Sequence, residues 1–387
     1  MKKTIKDYEY KEKTVLLRCD FNVPIDNGLI TDDTRIKESL TTINYLLEQN
    51  AKLIILSHLG KVKNEEDKEK NTLYPVYLRL KELVNNNIYF SKETRGENLE
   101  KLVKDLKEKE ILLIENTRYE DLDDKKESSC DEELSKYWAS LGNIYINDAY
   151  GTSHRKHASN VGISKLLPSA VGFLIEKEIT KLDEIMNENT EPFVVIMGGK
   201  KISDKTLVIE NLITKCNKIL IGGGMCFTFL KAKGYNVGAS IVDDENLEFC
   251  KNILDNYEDK IILPIDIITS NKEIKDIDNL NNNDAGFDIG PKTIELFKEN
   301  LESAKRVVVN GPMGVFEKKD FSKGTDEIYN CLKENNIKTL IGGGDSAASV
   351  NLLGYNNDFF HISTGGGATL DYLSGKNLPG IDAIEDK

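Results

Sequence analysis

Short apolar runs rich in β-branched residues recur along the whole chain: TVLLRCDFN, LIILSH, ILLIENTR, NIYINDAYG, FVVIMGGK, KILIGGG, IILPIDI, RVVVNGP, TLIGGG and FFHISTGGG. A strand apolar on both faces has to be buried on both, which is the condition of a parallel sheet covered by helices. Longer segments of helical character separate the runs, so the pattern predicts an α/β chain with doubly wound parallel sheets. At 387 residues it exceeds what one core supports, and two domains are expected. Polar or glycine residues close run after run, and in open parallel sheets that carboxyl edge is where ligands bind.

The two halves end their strands differently. In the first half the strand ends carry Arg18, Asp20, Asn22, His58, Arg118 and Arg155, whereas in the second they carry glycines and lysines. The first half therefore looks built for a small anion gripped by side chains, and the second for a nucleotide gripped by backbone. Between them, LPSAVGFLIEKEITKLDEIMNENTEP predicts one connecting helix with apolar Val171, Leu174, Ile175, Ile179 and Leu182, ending near Pro192. The charged stretches KVKNEEDKEKN and EDLDDKKESSCDEE are read as solvated loops or helix faces.

LIGGGDSAAS places Gly342, Gly343 and Gly344 directly before Asp345. Bare backbone at a strand-to-helix turn suits an anion, but a carboxylate there would repel a phosphate unless a cation such as Mg²⁺ lay between them. The plainer alternative is a glycine cluster that only relieves crowding. The formal net charge of -13 argues against a general nucleic-acid or anionic-membrane surface, while leaving room for a local basic pocket. The 6 cysteines form no C-x-x-C pair, which fits reduced thiols in a cytoplasm, and no leader or membrane span is expected.

No G-x-x-x-x-G-K-[ST] occurs, so a standard P-loop is excluded. Gly342, Gly344 and Ala347 satisfy a looser dinucleotide pattern, but the next run, FFHISTGGG, lacks the terminal acid that would hold an adenosine ribose. A dehydrogenase reading is weakened. A non-catalytic nucleotide-binding protein on the same fold stays open.

RCDFNVP, ITDDTRI, LSHLG, NDAYGTSHRKH, SDK, IGGGMCFTFLK, DIGPKT, NGPMGVFE, GGGDSAA, STGGGATL and LPG, taken in this order, resemble the motifs of the phosphoglycerate kinase family across almost the whole chain. The resemblance implies reversible phosphoryl transfer between 1,3-bisphosphoglycerate and MgADP, giving 3-phosphoglycerate and MgATP. It puts Asp20, Phe21, Asn22, Arg35, His58, Leu59, Gly60, Lys61, Arg118 and Arg155 on the phosphoglycerate. On the nucleotide it puts Gly199, Lys201, Lys205, Gly224, Gly286, Asn310, Pro312, Glu317, Gly343, Gly344, Asp345 and Ser346, with Asp345 as the Mg²⁺ ligand. Arg35, Lys201, Gly343 and Gly366 fall on positions implied to serve catalysis. His154 and His157 are read as holding the loop around Arg155, and His361 as structural.

The resemblance also implies a domain of 1–170 with 371–387 for the phosphoglycerate, a connecting helix at 171–185, and a nucleotide domain at 186–370. The two ligand sites are expected to face each other across a cleft that closes for transfer, in a monomer. Three residues depart from the family pattern. Lys61 stands where an arginine is usual, Lys200 where a small residue is usual, and Val309 where a tryptophan is common. A lysine gives a point charge in place of a bidentate fork.

Overall fold

In the computed structural model, which describes residues 1–122 and 124–387, the apolar runs assemble into two parallel sheets, one in each of two compact units. Asp123, inside the acidic stretch read as solvated, lies outside the described residues. The first unit comprises Met1–Thr180 with Asn377–Lys387, and the second Lys181–Lys376.

The first unit's sheet contains β1 (Thr14–Arg18), β4 (Lys52–Leu56), β5 (Ile88–Phe90), β6 (Ile111–Leu113), β7 (Ile144–Asn147) and β8 (Ser169–Val171), in the order β5-β6-β4-β1-β7-β8. All neighbours are parallel, with Val15 of β1 beside Leu53 of β4 and Ile144 of β7. Successive residues such as Val15, Leu16 and Leu17 are all fully buried, as strands covered on both faces require. A two-residue hairpin of β2 (Ile25–Asp26) and β3 (Leu29–Ile30) stands apart from this sheet. The C-terminal segment belongs to the first unit: Asn147 donates to the Gly380 carbonyl at 2.8 Å, and Lys3 N–H to the Glu385 carbonyl at 2.8 Å.

The second unit's sheet contains β9 (Phe193–Met197), β10 (Lys218–Ile221), β11 (Ile261–Ile262), β15 (Arg306–Asn310), β16 (Lys338–Ile341) and β17 (His361–Ile362), in the order β11-β10-β9-β15-β16-β17. Counted within the sheet, this is the doubly wound order whose direction reverses between its first and fourth strands, here β9 and β15. The crossovers leave in opposite directions there and open a crevice at the strands' carboxyl ends.

Three sequence expectations are corrected. IILPIDI is not one strand of the main sheet: Pro264, which lacks an N–H, follows β11, and β12 (Asp266–Thr269) then pairs antiparallel with β13 (Ile274–Asp276) and β14 (Gly286–Ile289). The connector is not helical from its proline. Val171 ends β8, and the helix runs Phe173–Asn187, with the division between the units falling inside it. The acidic stretch is not wholly solvated, because Glu120 is 7% and Glu127 0% exposed.

Candidate functional site

In the first unit the polar side chains gather where β1, β4 and β6 end. Asp20 and Asn22 lie just beyond β1, not within it, so strand alternation does not set their direction. Asp20 instead accepts from Arg35, in the first turn of the helix Thr34–Glu48, at 2.9 Å. Arg35 also donates to the Asn22 carbonyl at 3.3 Å, and the Asn22 side-chain oxygen accepts from Gly60 N–H at 2.8 Å. Phe21 and Leu59 are buried, and their amides are engaged by Ser57 and Asn116, so neither side chain is open to a ligand. Lys61 is exposed and has no ion pair among the described residues.

Arg118 donates to Asp121 at 2.8 Å and to Ser128, while its buried Nε has no hydrogen-bond partner. Arg155 is half-buried, with Nε 3.2 Å from His154 Nε2. Arg18, fully buried, donates to Ser159 Oγ at 2.8 Å and to the Cys19 carbonyl, and its NH2 lies 3.4 Å from His58 Nδ1. Burial first, then the nearby Arg18, Arg118 and Arg155 guanidiniums, hold the His58 imidazole well below its ordinary range and therefore neutral. Burial and Arg118 likewise lower Arg155. Cations crowded closely enough to depress one another are a site prepared for an anion.

In the second unit a cavity of about 530 Å³ opens at the ends of β9, β10 and β15. Its apolar wall includes Phe227, Ile241, Ile267, Phe287, Met313 and Phe316, and the predicted Gly199, Gly224, Gly286, Pro312 and Glu317 also border it. An apolar slot with few polar groups suits a planar base with a hydroxylated neighbour. A side chain at Gly223 could not be accommodated, since its Cβ would stand 2.5 Å from Gly199 N.

A second cavity, of about 320 Å³, is bordered by Lys200, Lys201, Lys205, Asn310, Gly343, Gly344, Asp345 and Ser346 among others. Lys200 and Asp345 border both cavities, which makes the two neighbours. Gly343 caps the helix Gly344–Leu353 at φ 94, a conformation that L side chains rarely adopt, and leaves the helix's first amides open. Lys205 reaches Asn310, whose carbonyl is 3.2 Å away and whose side-chain oxygen it also contacts, so Asn310 sits with the lysines and not in the apolar slot. Burial lowers Lys205 to about 8, against a smaller opposing pull from Asp345 and Asp204. Ser346 is buried, and its Oγ accepts from Gly311 N–H at 2.6 Å. Gly366 caps the short helix Gly367–Leu373 and borders neither cavity, although Leu370 of that helix does. Val309 is buried in the second unit's core.

Among the described residues no group of three or more His, Cys, Asp or Glu side chains could enclose a metal. Mg²⁺ commonly takes one or two carboxylates together with substrate phosphates, and exposed Asp345 between the two cavities fits that use. Sequence reasoning missed the support of the first cluster, namely half-buried Asp121 and Ser128 and buried Glu127 from the acidic stretch, and buried Ser159. Composition offered no signal for them, since a run of acids looks the same whether one member is buried or none.

A profile of the phosphoglycerate kinase family matches residues 5–376. The chain is 52% identical over 398 residues to a phosphoglycerate kinase of Fusobacterium nucleatum subsp. nucleatum, covering both chains in full. It is 52% identical over 396 residues to one of Staphylococcus aureus, again covering both in full. Among solved structures, a phosphoglycerate kinase from Coxiella burnetii superposes with a TM-score of 0.87 at 31% identity, covering 99% of this chain and 98% of that one. One from Pyrococcus horikoshii OT3 gives 0.86 at 31%, covering 98% of each.

Proposed function

The chain belongs to the phosphoglycerate kinase family, and we propose that its two units divide that family's ligands between them. The reaction is the reversible transfer of a phosphoryl group between 1,3-bisphosphoglycerate and ADP, giving 3-phosphoglycerate and ATP. Nothing in the site favours a dehydrogenase or a non-catalytic role.

The observation that carries the reading is the pair of neighbouring cavities at the β9/β15 reversal, one apolar and one lined by lysines and helix-start amides. Base and ribose would occupy the first, with Glu317 accepting from ribose hydroxyls. Phosphates would enter the second, where Lys205 would exchange Asn310 for a phosphate oxygen and the amides following Gly343 would donate. Mg²⁺, held by Asp345 and the phosphates, would neutralise charge on the nucleotide. Lys201, exposed and without an ion pair among the described residues, is free to follow the moving phosphoryl group. Such transfer needs positioning and charge stabilisation, and no protein nucleophile.

In the first unit Arg35, Arg118 and Arg155 would neutralise the phosphoglycerate, with His58 donating a hydrogen bond as a neutral imidazole. Asp20 and Asn22 would orient Arg35 and the Gly60 turn, contacting substrate only after exchanging those partners. Gly366 would serve the transferring group only through the amides of its turn. We read the protein as a monomer in the cytoplasm, a compartment that its six free cysteines fit. Among the described residues no helix is long and apolar enough to cross a membrane.

Calorimetric titration tests the division. Arg155→Ala should weaken 3-phosphoglycerate binding at least about tenfold, the scale of one charge-assisted hydrogen bond, and leave MgADP unchanged. Lys205→Ala should do the reverse. Equal losses for both ligands in either variant would overturn the assignment.

A further inference from the structure

Glu127 is an acid that the mechanism does not use. It is fully buried within an acidic stretch whose other described residues are mostly exposed or half-buried, and both of its carboxylate oxygens face Ser159. Ser159 Oγ–H lies 2.5 Å from Oε1, and Ser159 N–H donates to Oε2 at 2.9 Å. We propose that Glu127, acting through Ser159 and Arg18, is a positioning residue that fixes His58 as the tautomer protonated on Nε2. The proposal rests on the reading that this cluster holds the phosphoglycerate.

The direction of each bond follows from what each group can give. Burial raises the Glu127 carboxyl, while Arg18 and both Ser159 hydrogen bonds pull the other way and favour its ionised form. An ionised carboxylate only accepts, so the Ser159 hydroxyl proton points at Glu127, and the lone pairs of Ser159 Oγ face the other way. Arg18 Nε–H, 2.8 Å distant, takes that position as donor. A guanidinium has no lone pair to offer, so the Arg18 NH2 that lies 3.4 Å from His58 Nδ1 requires an unprotonated nitrogen there. The rival is Asp20 Oδ1, which would favour a proton on Nδ1, but it stands 3.9 Å away, beyond hydrogen-bond reach. His157 Nδ1 lies 3.7 Å from Glu127 Oε1, again too far to compete for that oxygen. With His58 neutral, its single proton falls on Nε2, the one ring N–H left to give a phosphoglycerate oxygen. A glutamine at 127 could turn its amide N–H toward Ser159 and reverse the first bond, and with it the reason for the rest.

The test uses ¹⁵N NMR of the His58 ring in the ligand-free protein, assigned by the loss of its signals in His58→Gln, together with calorimetry of 3-phosphoglycerate and MgADP. In the wild type, His58 Nδ1 should resonate as an unprotonated nitrogen and Nε2 as a protonated one. In Glu127→Gln and in Ser159→Ala the two signals should move toward each other as the tautomers mix. 3-Phosphoglycerate Kd should rise about tenfold, as for one weakened hydrogen bond to a charged group, with MgADP Kd unchanged. If Glu127→Gln does not fold, Ser159→Ala carries the test alone, because it removes the hydroxyl relay and keeps the buried backbone contact. A wild-type His58 protonated on Nδ1, or a tautomer unmoved in the folded variants, would overturn the proposal. A tautomer that shifts as expected in a protein whose 3-phosphoglycerate affinity ignores Arg155→Ala would instead sink the ligand assignment and leave the relay standing.

Discussion

Lys201 and Lys205 border the same cavity but stand in different electrical surroundings, and that difference predicts different roles. Lys201 is exposed and without an ion pair among the described residues, and on the proposed reading its charge would follow the moving phosphoryl group. Lys201→Ala should lower kcat by about 10² or more and change MgADP Kd little, as for loss of one preorganised electrostatic donor. Steady-state kinetics beside calorimetry would separate the two, and near wild-type turnover would remove Lys201 from the chemistry. Lys205, lowered to about 8 by burial, loses its proton in the free enzyme as pH rises through that value. Bound phosphates favour the charged form, so MgADP affinity should be flat below pH 8 and fall above it, by at most about tenfold per pH unit. Lys205→Arg should flatten that fall, since an arginine stays charged. That both lysines border one cavity could be anticipated from the sequence because glycines and cations at strand ends declare themselves locally. Glu127 was not legible, because its burial is decided by Ser159 and Arg18, which come from distant parts of the chain.

Strands show the same division between what is local and what is not. The long runs of β1, β4, β9 and β15 were legible because burial on both faces demands unbroken apolar sequence. β5 and β8 have three residues each, too few to display a period, and β12 was read as parallel because an isolated apolar run does not reveal its partner. The three-stranded sheet matters to the site, since Ile267 of β12 and Phe287 of β14 border the apolar cavity. Asp288 of β14 fixes this edge, accepting from Ile289 N–H at 2.9 Å and from Gly324 N–H at 2.8 Å. Burial raises its carboxyl from 3.8 to about 7. A raised folded-state value means that the native state holds a proton the unfolded state has released. The group's contribution is complete below about pH 4 and lost as pH rises through about 7. Across that window unfolding free energy should fall by up to about 1.4 kcal/mol per pH unit for each such group. Asp148, likewise buried and raised to about 7, adds to the slope, so Asp288→Asn should reduce it only in part. Urea unfolding at a series of pH values checks this, and a slope identical to wild type would contradict the assignment.

At the scale of the molecule, a chain of formal net charge -13 concentrates Arg18, Arg118 and Arg155 around His58 in one unit and Lys200, Lys201 and Lys205 beside Asp345 in the other. An acidic protein with confined basic pockets binds small anions without becoming a general polyanion surface. Length and the alternation of strands with helical segments led to the expectation of two domains, and the chain divides into two compact units. Where one ends and the other begins was less legible, because the dividing helix is apolar along one stripe throughout and carries no break at Thr180. On the proposed reading the γ-phosphoryl group of ATP passes directly to the carboxylate of 3-phosphoglycerate, with Lys201 serving the nucleotide and the arginine cluster the acceptor. A single-turnover experiment with ATP labelled in its γ-phosphoryl group tests it most directly, with the acyl phosphate trapped by hydroxylamine. The label should appear as acyl phosphate only when 3-phosphoglycerate is present, and its formation should slow by about 10² or more in Lys201→Ala, the effect of one lost electrostatic donor. Release of labelled inorganic phosphate at the same rate with or without 3-phosphoglycerate, and no acyl phosphate, would rule out direct transfer.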